Sequence, residues 1–352
     1  MNRLMAILLP PLVLTGATLL WTGAFDAGEA EVRAELVPAP RKEAPPDPAA
    51  VRADESGLFA VLEYHRVGGD PSFAPEWTIS PEDLWAQLEY LYRNDYHPIN
   101  FRDLLKNNVE VPAGKTPVVL TFDDSSQTQF TMVRDEAGRW VPGPDGAVGV
   151  LAAFHREHPD WPMRVTWFVL PAAAEPNNLF GQPELTEKKL EFLVDAGMEI
   201  GSHTFWHANL EQSSPQEVQE QIVRMNRAIR QYIPGYSAVS LGVPFGAYPA
   251  DVSLLRRGSW DGESYTLKGA ADVGGGLAYP PGNRLLSPYR VPRMQAEPAK
   301  GNFASFASHF EAHPEQRFVS DGDPDTVTIP EESRVYMDAE EIKRSGKAWR
   351  EY

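Results

Sequence analysis

The sequence predicts an α/β fold on a parallel sheet, and three observations carry that prediction. Stretches of helical period alternate with short apolar runs from Leu58 to Val243, the pattern of parallel strands joined by helical crossovers. Residues 118–124 (VVLTFDD), entered from Pro117, form an apolar run that ends in two adjacent carboxylates, Asp123 and Asp124. A second run, residues 198–202, ends in His203, with His207 four positions further on. Ligands of parallel sheets bind off the carboxyl ends of the strands, where both features fall. Alternation alone permits either an open sheet or a closed barrel.

Taken in order, residues 58–64 (LFAVLEY) read as the first strand, followed by His65 and Arg66. Ser80, Pro81, Glu82 and Asp83 make a helix start, with a hydroxyl cap, proline at the first position and acid in the first turn. Leu84, Leu88 and Leu91 then share one face of a helix running to Arg93. A short strand at 97–99 and a helix from Phe101 precede the strand of the Asp pair. Residues 125–144 are polar and turn-rich, an insertion or a loop over the strand ends. A helix at 147–157, a strand at 164–170 (RVTWFVL) and a helix at 185–196 stopped by Gly197 lead to the strand at 198–202. A helix from Pro215 to Tyr232 and a strand at 237–243 complete the alternating part. Beyond Ala247 the pattern thins to strands at 265–271 and 289–292 and a helix at 302–312. Residues 313–352 form an extension without a placeable pattern.

The ends and the composition bound the function. The 352 residues suffice for one barrel-sized domain, and 32 basic against 49 acidic residues give a net charge of −17. That charge argues against nucleic acid and permits a neutral or cationic substrate. The absence of cysteine excludes disulfides, thiolate ligands, a Cys nucleophile and a lipid-modified amino terminus. Arg3 is followed by an uncharged run, residues 4–25, close to the ~20 apolar residues that cross a bilayer. It reads as a transmembrane anchor or as a cleaved signal peptide with Ala24 and Ala27 near the cut, and either exports the remainder, membrane-anchored facing outward or secreted. Residues 26–57, rich in Ala, Pro and acids, read as a disordered tether.

Successive side chains leave a strand in opposite directions, so Asp123 and Asp124 can take different tasks where the strand ends. Alone, an Asp pair also suits a turn or helix cap. His203 and His207, four apart, reach one metal ion if they share a helical turn. Two histidines and a carboxylate make a common hydrolytic metal site with open positions. Pro244-Phe245-Gly246 marks a third strand end and, alone, reads as a turn.

In this order, Thr121-Phe122-Asp123-Asp124, His203-Thr204-Phe205-Trp206-His207 and Pro244-Phe245-Gly246 resemble the motifs of the polysaccharide deacetylase family, a resemblance running from about residue 58 to 310. It implies a distorted (β/α) barrel of about seven parallel strands. It implies hydrolysis of N-acetyl groups on sugars of chitin, peptidoglycan or an exopolysaccharide. Carried over by position, Asp124, His203 and His207 hold a divalent metal (zinc, before cobalt, nickel or iron), and Asp123 is the general base. The chain departs from the pattern at Gly242, where the family has Arg two residues before the Pro, and at Ser125. It also lacks the late Leu-x-His of the general acid; His309 and His313 are the late histidines. Leu62-Glu63-Tyr64-His65-Arg66 is similar to the early Tyr-His segment of the poly-N-acetylglucosamine deacetylase branch, which implies His65 as general acid. Trp206, Pro244, Phe245, Gly246 and Tyr248 are expected to line the sugar, with Trp167 as wall or core. The expected partners are an acetylated polysaccharide and, through an uncleaved amino-terminal segment, a membrane. Two other readings keep these residues: a catalytically inactive glycan-binding scaffold, and a metal hydrolase acting on another amide.

Overall fold

Seven parallel strands close into a ring: β1 (Ala60–Tyr64), β2 (Thr116–Asp123), β3 (Thr166–Val169), β4 (Glu199–Ser202), β5 (Ser240–Gly242), β6 (Gly269–Gly275) and β7 (Val291–Gln295). The computed structural model describes residues 46–70, 72–172 and 178–352. Each strand pairs with the next in sequence, and β1 closes the ring by pairing with both β2 and β7. The open alternative is thereby excluded. The ring is uneven because β2 is the longest of the seven strands. It pairs with Tyr96–Ile99 along its first half and with β3 along its second half, on the same edge.

Alternation along β2 decides what faces where. Val118, Leu120 and Phe122 pack outward under the helices, Phe122 stacking between Tyr64 at 5.0 Å and Trp167 at 4.6 Å. Val119 faces the barrel interior with Val61, Phe168, Ala271 and Val291, and Thr121 and Asp123 follow on that side. Trp167 is therefore core: it is fully buried and directs its indole N–H at the Met198 sulfur, so its expected alternative as a sugar wall does not hold.

The outer layer is α1 (Pro81–Arg93), α2 (Ala147–Glu157), α3 (Thr186–Asp195), α4 (Pro215–Arg230) and α5 (Asn302–Ala312). Their starts follow the sequence signals. Ser80 Oγ accepts from Asp83 N at 3.0 Å, and Ser214 with Glu217 forms a capping box on α4. The insertion at 125–144 contributes a small hairpin, Met132–Arg134 with Trp140–Pro142.

Two expected boundaries are corrected. The membrane segment at 1–25 and the tether up to residue 45 lie outside the described residues, but the tether does not extend to Gly57. Asp47 caps a short helix, Pro48–Val51, Ala53 and Glu55 are buried, and Asp54 bridges Val319. The extension at 313–352 is part of the same unit: Phe318 packs on Phe59 beneath the barrel, and Thr326–Ile329 pairs in parallel with Ala348–Glu351. Among the described residues, no helix is long and apolar enough to cross a membrane.

Glu55 joins these two ends, accepting from Thr328 N at 3.0 Å in a buried site beside Asp321. Burial and the Asp321 charge push its carboxyl up to about 8. The folded state thus holds a proton that the unfolded chain releases near pH 4.5. Stability from this group is complete below that pH and is lost as pH rises toward 8. Thermal melts at pH 5 and pH 8 should show a falling midpoint, and Glu55→Gln should flatten that slope; an unchanged slope contradicts the assignment.

Candidate active site

Asp124 leaves the barrel wall because its backbone is left-handed, with φ of 76° followed by 49° at Ser125. Its Oδ1 lies 3.4 Å from His203 Nε2 and 3.6 Å from His207 Nε2. The histidines do not share a helical turn, as the spacing led one to expect. Residues 203–208 form a tight loop in which Thr204 (φ 66°) and His207 (φ 61°) are left-handed. Gln221 of α4 accepts from Phe205 N and Trp206 N, and Thr204 Oγ1 accepts from Ala208 N, so side chains replace the missing helical bonds.

The donor set fits a divalent metal. His203 Nδ1 lies 2.8 Å from the Gly242 carbonyl, which can only accept, so Nδ1 carries a proton. Burial opposes a charge on the ring, but Asp123 and Asp124 outweigh it and raise its pKa, so the second proton, on Nε2, is the one a metal would displace. Ligands about 2.0–2.2 Å from a tetrahedral ion sit about 3.3–3.6 Å from one another, the separation of these atoms. Burial and the neighbouring His203 push His207 down to about 4, which leaves it neutral and able to ligate. Burial opposes ionisation of Asp124, but His203 outweighs it and holds the carboxyl below its ordinary value.

Asp123 stays on the interior face and is gripped by a residue that the sequence did not single out. Arg293 of β7 donates Nη1 to Oδ1 at 2.7 Å and Nη2 to Oδ2 at 2.8 Å, a bidentate pair buried at the barrel centre. The guanidinium also reaches Thr121 Oγ1, the Asp272 carbonyl and Glu63 Oε1. Burial resists the Asp123 charge, yet Arg293 and His203 hold this carboxyl well below the usual range. A Cβ at Gly242 would lie 2.8 Å from the Phe168 ring and 3.2 Å from His203 Nδ1, so that position has no room for an arginine. The guanidinium comes from another strand.

His65 faces the same cluster: atoms of Glu63, His65 and Asp123 lie within 4.8 Å of one another. Glu297 Oε1 accepts from His65 N at 3.0 Å and meets Nδ1 at 2.9 Å, leaving Nε2 toward Glu63 at 3.7 Å. Burial lowers the imidazole pKa, but Glu297, with Glu63 and Asp123, raises it to about 9, so the ring is a proton donor at neutral pH. Gln129, from the insertion, donates to the backbone carbonyls of both His65 and Asp123. His309 and His313 lie at the end of α5, beside Gln316 and Glu315 respectively.

Of the expected sugar-lining residues, Phe245 is 64% exposed, with φ of 60° and its ring edge-to-face with His207 at 4.3 Å. Trp206 is 43% exposed, and Arg224 lies over its ring. Pro244 is buried, and Gly246 is left-handed, with Asp272 Oδ1 3.0 Å from where a Cβ would sit. Tyr248 is only 8% exposed, beneath the Arg290 guanidinium, so it backs the wall. Sequence reasoning missed Arg293, Glu63 and Glu297 as partners. The signal was a charged residue inside an otherwise apolar strand, as in LFAVLEY and VPRMQ.

Residues 110–257 match the sequence profile of the polysaccharide deacetylase family. A chitooligosaccharide deacetylase of Sinorhizobium fredii is 29% identical over 150 residues, 43% of this chain and 56% of that protein. A peptidoglycan-N-acetylglucosamine deacetylase of Listeria monocytogenes is 30% identical over 146 residues, 41% of this chain and 25% of that protein. The chain thus matches from a quarter to just over half of the length of these relatives. Among solved structures, the IcaB protein of Ammonifex degensii superposes with a TM-score of 0.50 at 17% identity, covering 72% of this chain and 99% of that one. A polysaccharide deacetylase of Bacillus cereus gives 0.51 at 18% identity, covering 71% and 68%. At these identities the likeness is one of fold.

Proposed function

From the premise that this chain carries a polysaccharide deacetylase domain across residues 110–257, we propose that it is a metal-dependent hydrolase that removes N-acetyl groups from a polysaccharide outside the cytoplasm. The observation that supports this best is convergence. A metal-ligand triad, a carboxylate fixed by Arg293 and a histidine fixed by Glu297 meet at one barrel rim.

Asp124, His203 and His207 would hold the metal. A divalent ion there, zinc before cobalt, nickel or iron, supplies Lewis acidity and a bound water of lowered pKa. The Arg293 pair keeps Asp123 ionised and immobile, so its carboxylate is ready to take the water proton. An amine leaves poorly as an anion, and His65 Nε2, free of a direct hydrogen bond, is placed to protonate it. Glu297 fixes the tautomer from the other side of the ring. Phe245 and Trp206 offer apolar faces for the sugar. The preferred substrate is an N-acetylglucosamine polymer, on the early Tyr-His segment and on the likeness to chitooligosaccharide and peptidoglycan-N-acetylglucosamine deacetylases.

Acetate release from a panel of acetylated oligosaccharides tests the reading; wild-type protein loaded with metal that releases none from any member defeats it. His65→Ala should lose ~10²–10⁴ in kcat while retaining the metal, and an unchanged kcat removes His65 from the role. Export rests on Arg3 and the uncharged run after it. A carboxyl-terminal fusion to a reporter active only in the cytoplasm should stay dark, and strong signal contradicts it.

A further inference from the structure

Trp77 and Lys300 form a clasp that takes no part in the chemistry above, yet it ends on His65. Trp77 closes the turn Pro75–Trp77 in the loop between β1 and α1. Its indole meets the His65 ring edge-to-face, 4.6 Å between centroids at 62°. Lys300 Nζ lies 3.4 Å from the centre of the same indole, and among the described residues no carboxylate lies within 4.0 Å of this ammonium. Lys300 closes the turn Pro298–Lys300, which begins directly after Glu297. One turn therefore reaches His65 twice, through the Glu297 carboxylate on Nδ1 and through Lys300 and the indole.

The two contacts do different things. The Glu297 bond fixes one ring atom and leaves the imidazole able to tilt about it, which swings Nε2. An indole packed across the ring removes that freedom. The pairing of Arg66–Val67 with Thr78–Ile79 brings the backbone of Trp77 beside His65 but leaves its indole to be held from outside. A cation over the indole face supplies the anchor, an interaction best developed with Trp.

We propose that Trp77, held by Lys300, is the positioning residue that keeps His65 Nε2 aimed at the departing nitrogen. The assignment rests on the role given to His65 above. It requires the clasp to matter only where the leaving group needs a proton. A misplacement of about 1 Å costs on the order of 10²-fold in rate.

The test compares two substrates on the metal-loaded full chain: an acetylated oligosaccharide, whose amine must be protonated, and an aryl acetate, whose phenolate leaves unaided. Trp77→Ala should lower kcat on the oligosaccharide about 10²-fold with KM little changed and leave aryl acetate turnover intact. Trp77→Phe should restore most of the loss, and Lys300→Met should fall between. Equal losses on both substrates, or no loss on either, overturn the proposal. The ring nitrogen resonances of His65 in histidine-labelled protein give a readout independent of turnover. They should move and broaden in Trp77→Ala, and identical resonances overturn the positioning role. Wild-type protein that releases acetate from no oligosaccharide defeats the deacetylase reading instead, and the resonances then still decide whether Trp77 holds His65.

Discussion

Replacing His203 and His207 together with alanine should abolish tight metal binding and acetate release while leaving the barrel folded. The imidazoles stand at the mouth of the ring, and His203 makes one hydrogen bond to the wall, at Gly242. The core beneath does not depend on them: Phe168, Val119, Val61 and Val291 fill the interior, and Phe122, Trp167 and Tyr64 pack under the helices. Truncating His203 still opens a buried space, so a loss of about 1–2 kcal/mol is expected in denaturant titration. Metal analysis after dialysis should fall to background and kcat/KM to the uncatalysed level. Full zinc occupancy in the double variant would sink the ligand assignment. Asp124→Asn separates charge from shape, since it keeps an oxygen at the site and should weaken metal binding without emptying it.

Arg293→Ala should be the most destabilising single change at the site. The guanidinium is fully buried and serves Asp123, Glu63, Thr121 and the Asp272 carbonyl together. Its removal takes away the only hydrogen-bonded counter-charge of two buried carboxylates and leaves them the His203 and His65 rings at 3.7 Å, a loss of about 3–5 kcal/mol. Burial already pushes Glu63 up to about 7, with Arg293 the main influence holding it down, so Glu63 should then become protonated. Arg293→Lys keeps the charge and gives up the two parallel bonds to Asp123. It should fold and bind metal, with a steep fall in kcat if Asp123 is the base proposed above, since the carboxylate is no longer held. Urea midpoints and kcat for both variants check this. An Arg293→Lys enzyme as fast as wild type would show that Arg293 serves folding alone.

What the sequence disclosed depended on whether neighbours along the chain were also neighbours in the site. Asp123 with Asp124, and His203 with His207, lie within one strand end or one loop, so their spacing carried the candidate metal cluster. Arg293 belongs with Asp123, yet it reaches Asp123 only through ring closure, which no local pattern records. Gly242 showed the same limit from the other side. Its missing arginine looked like a defect, but the position has no room, and a different strand supplies the charge. The helical reading of His203 and His207 failed because left-handed residues at 204 and 207 bring the rings together without a helix. The tail was illegible because its strands pair across a helix and a turn, and because its anchor, Phe318, contacts Phe59 near the other end of the chain. Strand and helix order up to residue 243 and the helix starts at Pro81 and Pro215 were legible because local period and caps set them, and the 302–312 helix by its period. The strand expected at 265–271 instead straddles the end of a hairpin, Glu263–Thr266, and the start of β6.

The stitching of residues 53–59 to residues 316–319 bears on how the protein comes into being. Leu62 pairs with Met294, Asp54 with Val319, and the Tyr352 hydroxyl donates to the Ala53 carbonyl. The first strand of the barrel therefore waits for β7, the last strand of the ring, before it can pair on its second edge. Contacts so distant in sequence make folding slow, and the incomplete ring meanwhile presents open strand edges. The ring is therefore most exposed to misassembly before β7 joins, and its first strand is the edge left open longest.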